Sequence, residues 1–411
     1  MSIIENIPNG RIVQTAERRL TAGLLLLLAG LAAIGALSTH IILPSFPSIA
    51  ATLGVPTREL GLTLSSFFVA FAVGQLFVGP LSDRYGRRHF VLGGLAVFVI
   101  GSAVCGAAES FPMLIAGRIV QALGVCAASV LSRAIARDLF DGEELAKALS
   151  LTMVAMAAAP GFSPLLGSAL DTQFGWRSAF VVVAALGTIL AAYYVLGAGE
   201  THPADRRSAT SLRAVMGAYR GLLVDQRFIR PALSVSLVIG GLYAFFAAAP
   251  AILIVNLGLS SLQLGLFFAT TVFVVFASGL LAPRLAHKWG ARSIAILGIV
   301  LALLGGVFLL AMSNATTFPA FAVALAIFLL GMGLVNPLGT AITLHPFGRQ
   351  AGLASALLGF LQMACAALGT ALTTALPLPP VLSLSLILTG GSILALVVFL
   401  RHRADTHHGK A

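Results

Sequence analysis

The sequence predicts an all-α membrane protein whose twelve transmembrane helices form two pseudo-symmetric six-helix halves. Its 411 residues are 58% hydrophobic and only 9% charged, with a mean hydropathy of +1.00, which is more apolar surface than a soluble core can bury. The apolar runs are each about 20 residues long, the length that crosses a hydrocarbon core of roughly 30 Å. Basic residues fall almost entirely on one side of the resulting topology.

The apolar segments are predicted to be helices, because a backbone in lipid must satisfy its hydrogen bonds within its own segment. The first segment is too long for a signal-peptide core and is therefore predicted to be a retained span. The spans are placed, to within a few residues, near 20–42, 60–81, 90–108, 112–134, 146–169, 177–197, 230–255, 262–283, 293–311, 318–341, 350–373 and 380–400.

The charge distribution predicts the orientation. If the chain enters the membrane from the cytoplasm, all 25 lysines and arginines except Arg58, Arg118 and Arg177 lie at the cytoplasmic side, which leaves 22. Both termini are then predicted to be cytoplasmic. The net charge of +11 is spread over short loops, so it indicates topology and not a nucleic-acid surface.

The longest polar connection predicts the domain boundary. A basic stretch midway along the chain divides it into a first half with an N-terminal tail (1–198), a cytoplasmic linker loop (199–229) and a second half with a C-terminal tail (230–411). Two echoes support a duplicated unit. Tyr85–Arg88 is echoed by Trp289–Arg292, 204 residues later, and Phe111-Pro112 by Phe318-Pro319, 207 residues later. The alternative is that basic turns recur wherever two helices leave the membrane.

The loop after span 2 reads GPLSDRYGRR and carries the strongest local motif. Gly79 and Pro80 are expected to let span 2 approach a neighbour and bend, and Asp83 to accept hydrogen bonds from a helix N-terminus. The alternative, a merely orienting basic loop, accounts for the arginines but not for Asp83. The residues assigned to this motif are Gly79, Asp83, Arg84, Gly86, Arg87 and Arg88.

Two further spans carry unusual residues. Span 4 contains AGRIVQALG, in which Arg118 needs a partner or a wet cavity, and Gln121, one turn later, faces the same side. Alternatively, Arg118 snorkels to the outer interface. Span 5 contains APGFSPLLG, in which Pro160, Gly161, Pro164 and Gly167 predict a bent, closely packed helix.

These motifs resemble those of the major facilitator superfamily. There the loop after span 2 stabilises an outward-open state, the span 4 arginine takes part in proton coupling, and the span 5 motif is typical of exporters. The whole chain resembles the Bcr/CflA branch of drug:proton antiporters. The further residues that carry this resemblance are Leu43-Pro44, Pro47, Arg133 with Asp138–Phe140, Trp176–Phe180, Glu200-Thr201 and Gln350–Gln362.

The chain departs from that branch at His40, which stands where an acidic residue is usual before Leu43-Pro44. None of the 14 acidic residues lies in mid-membrane. Because an imidazole ordinarily changes charge near pH 6.5, His40 is the predicted proton carrier, together with Arg118. Alternatively, His40 is a neutral substrate contact or lies at the outer interface.

Arg118 then lacks an intramembrane anion. Its acceptors are either backbone carbonyls, glutamine and water, or a substrate that supplies a negative charge and so differs from a lipophilic cation. The predicted cavity residues, each of which has helix packing as its alternative role, are Gln75, Gln121, Tyr243, Asn256, Asn336 and Gln362, with Phe245 and Phe246 as an apolar wall.

The sequence therefore predicts a monomeric secondary exporter of a small drug-like molecule or metabolite, driven by proton antiport through alternating access. A proton-independent facilitator or exchanger of an amphiphilic or anionic compound is the first alternative, and a non-transporting membrane sensor is the second. An enzyme, a metal site, a cofactor and nucleic-acid binding are not predicted. The terminal His407 and His408 are assigned to a solvated tail, and Cys105, Cys126 and Cys365 to buried thiols.

Overall fold

The protein is described by a computed structural model over residues 21–203, 205, 207 and 212–402. All regular elements in this part of the chain are helical. They are α1 (Ala22–His40), α2 (Phe46–Leu53), α3 (Gly61–Tyr85), α4 (Arg87–Gly106), α5 (Phe111–Leu139), α6 (Gly142–Phe174), α7 (Arg177–Gly197), α8 (Leu212–Val224), α9 (Gln226–Ala249), α10 (Ser261–Trp289), α11 (Ala291–Ala311), α12 (Phe318–Leu344), α13 (Ala351–Ala375) and α14 (Pro380–Leu400), with short 3-10 or π turns between some of them.

Twelve helical segments in the described residues are long and apolar enough to cross a membrane, which confirms the predicted spans. Span 1 corresponds to α1 and α2, spans 2 to 6 to α3 to α7, span 7 to α9 with a π-helical turn (Pro250–Asn256), and spans 8 to 12 to α10 to α14. Several helices extend beyond the predicted ends. The helix α6 has 33 residues and begins before the predicted span. Its first turn carries Glu143 and Glu144, acidic side chains that are unsuited to lipid but stabilise a helix N-terminus.

The first span is interrupted after His40. Pro44 lies in a 3-10 turn (Leu43–Ser45), and Pro47 lies in the first turn of α2. Because proline has no backbone N–H, it is tolerated at the start of a helix and disrupts a helix that is already running. The break places His40 at the last position of α1, and α2 then extends the span to Leu53.

The two halves repeat the same local geometry. The turn between α3 and α4 uses Gly86 with a φ of +98°, and the turn between α10 and α11 uses Gly290 with a φ of +83°. Phe111 and Phe318 begin α5 and α12, each followed by proline. The inter-half contacts are also related in pairs, since α3 packs on α13 and α6 packs on α10. These repeats confirm the predicted pseudo-symmetry.

The stretch between the halves was predicted to be a loop, but it contains a helix. The helix α8 lies within it and buries Val215, Tyr219 and Leu222 against Phe228 of α9 and the first turns of α13. This helix was missed because its three-to-four residue spacing of apolar side chains is interspersed with arginines. The domain boundaries themselves stay a prediction, and both terminal tails lie outside the described residues.

Candidate functional site: a central cavity

A cavity of about 570 Å³ lies among seven helices, α1, α3, α5 and α6 of the first half and α9, α12 and α13 of the second. Its wall is mainly apolar, with aromatic side chains from α3 and Met153 and Met156 from α6. The polar and charged side chains that line it are Thr39, His40, Gln75, Ser129, Arg133, Tyr243, Asn336, Thr340, Ser355 and Gln362. Such a wall, apolar with a few polar groups, is typical of small-molecule sites.

A second hollow, of about 430 Å³, continues the cavity toward one end of the bundle. The two share Gln75, Val130, Arg133 and Ser355 as lining residues. We call this end, which carries the turn Tyr85–Arg88 and the C-terminal turn of α5, the basic end. The central cavity is therefore accessible from the basic end.

The opposite end is closed by contacts between the halves. Arg58, before α3, donates from Nη1 to the carbonyl oxygen of Leu376 at 3.1 Å. The hydroxyl of Thr374 donates to the carbonyl oxygen of Arg58 at 3.3 Å, and that of Ser261 donates to the carbonyl oxygen of Pro44 at 3.3 Å. Arg58 thus joins the two halves at this end.

His40 lines the cavity and is only 1% exposed. Its Nδ1 lies 2.7 Å from the carbonyl oxygen of Ala36, and because a carbonyl can only accept, Nδ1 carries the proton of this hydrogen bond. Nε2 is buried and has no hydrogen-bond partner among the described residues, which leaves it as the nitrogen that can bind a further proton. This placement contradicts the alternative that His40 lies at the outer interface.

His40 is also a contact between the halves. Its ring meets that of Phe246 on α9 edge to face, with 4.5 Å between ring centroids, and lies 6.2 Å from the ring of Tyr243. Tyr243 in turn packs on Phe68 of α3 at 4.6 Å. A change in the charge of His40 would therefore act directly on the packing of α1 against α9.

Four predicted cavity residues, Phe245, Phe246, Gln121 and Asn256, are not among the lining residues of the cavity. Phe246 packs behind His40 with Phe245 and Phe268, so it supports the wall without lining it. Gln121 is fully buried on the side of α5 that faces α4, and Asn256 is exposed at the end of the π-helical turn. The sequence could not place them, because the rotation of an apolar helix about its axis is set by its neighbours. Gln75, Tyr243, Asn336 and Gln362 do line the cavity.

Arg118 is fully buried, so the snorkelling alternative is wrong. Its Nη1 donates to the carbonyl oxygen of Ser38 at 3.1 Å and to Oε1 of Gln121 at 2.5 Å. The guanidinium lies over the ring of Phe67, 4.4 Å from its centroid. Phe67 lines the cavity and Arg118 does not, so Arg118 lies behind the wall and its described acceptors are a carbonyl and a glutamine.

The span 5 motif lies at contacts between helices. Pro160 and Pro164 are inside α6, which continues through both. Gly161 faces Val272 of α10, and a Cβ added there would lie 2.5 Å from the Val272 side chain. Gly167 packs directly on the carbonyl oxygen of Ile41, at the break after α1. The motif therefore allows α6 to approach both the second half and the break beside His40.

The loop motif forms a charged cluster at the basic end. Arg87 pairs with Asp83 and donates from Nε to Oδ2 of Asp138 at 3.0 Å and from Nη1 to Ser82 Oγ at 2.6 Å. Thr201 also donates to Asp138, at 3.3 Å. Arg84 stacks on the ring of Tyr85, and Arg88 is exposed. The cluster joins the α3–α4 turn, the end of α5 and the residues after α7.

Two expectations for this loop are wrong. Asp83 is half exposed and accepts from no helix N-terminus of the described residues. Glu200 does, since its carboxylate accepts from the backbone N–H of Arg87 at 2.9 Å and of Arg88 at 3.4 Å. Gly79 has no neighbour within 4 Å of an added Cβ and so makes no close approach in this conformation. Glu200 lies 113 residues from Arg87, the first residue of the helix that it caps, which no local pattern reveals.

The pKa of Glu200 is lowered. Partial burial acts to raise it, but hydrogen bonds from the backbone N–H groups of His202, Arg87 and Arg88, with the charge of Arg207, outweigh that effect. The Arg207 guanidinium lies 3.8 Å from the Glu200 carboxylate. Glu200 is therefore held in its charged form.

Arg133 is the functional candidate that sequence reasoning missed. It lies at the junction of the cavity and the basic-end hollow. From the sequence, Arg133 was counted among the charges at the cytoplasmic side, at the end of the predicted span 112–134, whereas α5 runs on to Leu139. With the helix continuing past it, Arg133 lies on the wall of the cavity and not at the end of a span.

A scan against protein-family models matches residues 26–370 to the Major Facilitator Superfamily. The chain belongs to this superfamily. It is accordingly a multi-pass membrane transporter and not an enzyme. The twelve helices, the paired inter-half contacts and the central cavity are the superfamily fold.

Named relatives place the transporter near the Bcr/CflA branch. Multidrug resistance protein D of Escherichia coli (strain K12) is 28% identical over 389 residues, which cover 93% of this chain and 96% of that protein. The bicyclomycin resistance protein homolog of Haemophilus influenzae is 29% identical, covering 79% of this chain and 82% of its own. Among solved structures, the human organic anion transporter MFSD10 (TETRAN) superposes with a TM-score of 0.68 at 18% identity, covering 93% and 99% of the two chains, and shows the same fold.

Proposed function

We propose that this transporter is a bacterial inner-membrane exporter of small amphiphilic molecules that works by alternating access. The observation that carries the proposal is the asymmetry of the cavity, which continues to the basic end and is closed at the other by Arg58 and Ser261. With the basic end in the cytoplasm, this is the state that loads substrate for export. The names of the relatives, which refer to drug resistance, favour drug-like substrates.

The proposed driving force is proton antiport with His40 as the carrier and Arg118 behind it. His40 ends α1, lines the cavity and contacts Phe246 of the other half, so its protonation can be coupled to the closure between α1 and α9. Arg118 binds the carbonyl of Ser38 in the last turns of α1 and thereby positions the same helix end. If one net charge moves inward per cycle, the membrane potential supplies about 2.3 kcal/mol per 100 mV. The cavity lies within one chain, which supports a monomer.

The test uses acidified everted vesicles and a panel of neutral, cationic and anionic compounds. Compounds that are exported should release protons in vesicles with the wild type, and His40→Ala should abolish this release while binding to purified protein persists. His287→Ala, which removes an exposed histidine at the basic end, is the matched control and should behave as the wild type. Proton release that survives in His40→Ala would exclude His40 as the carrier.

A second candidate is a proton-independent facilitator or exchanger. One observation favours it: no aspartate or glutamate is among the described residues that line the central cavity. The same vesicles distinguish the two candidates, because a facilitator would move labelled compound without any proton release and at a rate independent of the pH gradient. Under that outcome His40 is a substrate contact.

A further inference from the structure

We propose that the central cavity selects molecules that carry a carboxylate or a comparable negative charge, and that Arg133 is the residue that binds this charge. The inference rests on the proposed export function, whose substrate class it narrows. The charges that matter here are those of the cavity wall and of the access path, and the proposed proton carrier His40 is a separate residue.

The polar side chains described in the wall of the central cavity are all basic or uncharged, and none is acidic. Arg133 is the arginine of the central cavity, His40 is its histidine, and the remaining polar groups are hydroxyls and amides. A cationic substrate would therefore enter an apolar cavity with no described anion to bind it, while losing its hydration. An acidic substrate finds a guanidinium.

The basic-end hollow on the access path adds to this preference. Its described lining includes Arg87, Arg133 and Arg137 together with Asp83 and Asp138. Both aspartates bind Arg87, so their charge is already engaged. Arg133 and Arg137 have no hydrogen bond or ion pair to any described residue. Counting Arg87, Arg133 and Arg137 against Asp83 and Asp138, the described charged lining of the hollow has a net charge of +1. A net positive charge in a low-dielectric cleft concentrates ligands of negative charge.

Arg133 is better placed for this role than Arg118. It is partly exposed and lines both the cavity and the hollow, so a ligand can reach it. Arg118 is fully buried behind Phe67 and already binds Ser38 and Gln121. Arg133 also has Gln75 and Ser129 among its co-lining residues, and these supply further donors for carboxylate oxygens.

A negative substrate changes the energetics of export. Moving one anion out of a cell whose interior is negative is driven by the potential, which supports an about fifty-fold gradient per 100 mV without any proton. A protonated His40 would attract an anionic substrate, whereas it would repel a cationic one. Repulsion between proton and substrate therefore would not by itself couple proton entry to the export of an anion.

The experiment uses the purified full-length protein and three matched probes, 2-naphthoate, 2-naphthamide and 2-naphthylmethylammonium. They share one aromatic body and differ in charge. Binding is measured by equilibrium dialysis at moderate salt. The wild type should bind the carboxylate at least about tenfold more tightly than the amide, because a charge-assisted hydrogen bond in a desolvated site has that effect.

The variants assign the preference. Arg133→Gln should make carboxylate and amide bind equally, with the amide unaffected, whereas Arg133→Lys should keep a reduced preference. Arg284→Gln removes an exposed arginine of α10 and should leave the wild-type preference intact. The inference is overturned if the wild type binds the carboxylate no more tightly than the amide, or if the preference survives in Arg133→Gln.

Transport in proteoliposomes separates the two proposals. If the carboxylate binds selectively through Arg133 but no probe crosses the membrane, the export function fails and the anion site stands. If the amide or the ammonium probe is transported and carboxylate selectivity is missing, the export function stands and the anion inference fails. The wild-type comparison tests the preference for an anion even if a variant does not fold, and the conservative Arg133→Lys, with its reduced preference, tests the assignment to Arg133 if Arg133→Gln does not fold.

Discussion

Arg118 and Gln121 form a hydrogen-bonded pair on α5, one turn apart, in which Gln121 accepts from Nη1 of Arg118 at 2.5 Å and donates to Ser102 Oγ on α4 at 2.8 Å. Both side chains are fully buried. The pair therefore carries a buried charge and at the same time connects α5 with α4 and, through the carbonyl of Ser38, with α1.

We expect Gln121→Leu to destabilise the protein by about 1 to 3 kcal/mol, because a buried guanidinium N–H loses its acceptor and Ser102 Oγ loses the N–H that donates to it, although Ser102 keeps its hydrogen bond to the carbonyl oxygen of Phe98. Thermal unfolding of the purified protein in detergent measures the change. Gln362→Leu is the control, since Gln362 lines the cavity and has no described hydrogen bond that would be lost. Equal stability of Gln121→Leu and the wild type would show that the pair does not stabilise this helix packing.

The charged cluster at the basic end predicts a second effect. Arg87→Gln removes the cation that pairs with both Asp83 and Asp138. The Arg87 side chain is 7% and that of Asp83 45% exposed, so we expect a loss of about 1 to 3 kcal/mol, between the values for exposed and buried pairs. Unfolding temperature and the transport rate should both fall. Arg84→Gln, which loses only a stacking contact with Tyr85, should change neither, and an equal loss in both variants would contradict the assignment.

The lowered pKa of Glu200 predicts a pH dependence of stability. Its folded-state pKa lies below the ordinary glutamate value of 4.5, so the ionised form is stabilised by folding. This contribution is present above the unfolded-state pKa and is lost as the pH falls through the folded-state pKa. Glu200→Gln should therefore be less stable than the wild type at pH 7, and the difference should shrink on acidification below about pH 4.5.

Unfolding temperatures of the two proteins at a series of pH values between neutral and strongly acidic test this prediction. The control is Glu109→Gln, which changes an exposed glutamate between α4 and α5 and should follow the wild type throughout. A difference between wild type and Glu200→Gln that stays constant on acidification would mean that the carboxylate charge at the α4 N-terminus is not what stabilises the turn.

The contact of Gly167 with the carbonyl oxygen of Ile41 predicts a steric effect. A Cβ at Gly167 has no room there, so Gly167→Ala should force α6 away from the break after His40 and destabilise the protein by about 1 to 3 kcal/mol. Gly93→Ala, in the middle of α4, meets nothing within 4 Å and should be neutral or slightly stabilising. Unfolding temperature and transport of the two variants are compared, and a neutral Gly167→Ala would refute the close approach.

Much of the fold was predictable because its determinants are local in the chain. A run of about 20 apolar residues specifies a span whatever its neighbours are. The repeated turns at Gly86 and Gly290 and the repeated starts at Phe111 and Phe318 could be identified as short motifs. The helix α8 was not identified, because its apolar spacing is short and lies among basic residues.

The site was only partly predictable. His40, Gln75 and Gln362 were selected from the sequence and line the cavity, but Arg133 was not selected, and Gln121 and Phe246 face elsewhere. The reason is that lipid tails and a protein interior are similarly apolar, so a membrane helix shows little difference between its faces. Which polar side chain faces a cavity then depends on how the helix is rotated by its packing partners.

The sequence by itself determined the membrane class, the number of spans, the internal duplication and the asymmetry of charge, since each follows from composition or from short repeated patterns. The tertiary structure alone decided that Arg118 binds Gln121 and Ser38, that Glu200 and not Asp83 caps α4, and that Arg133 faces the cavity. These are contacts between residues on different helices or set by helix rotation. Their free energies depend on distances that only the packed bundle fixes.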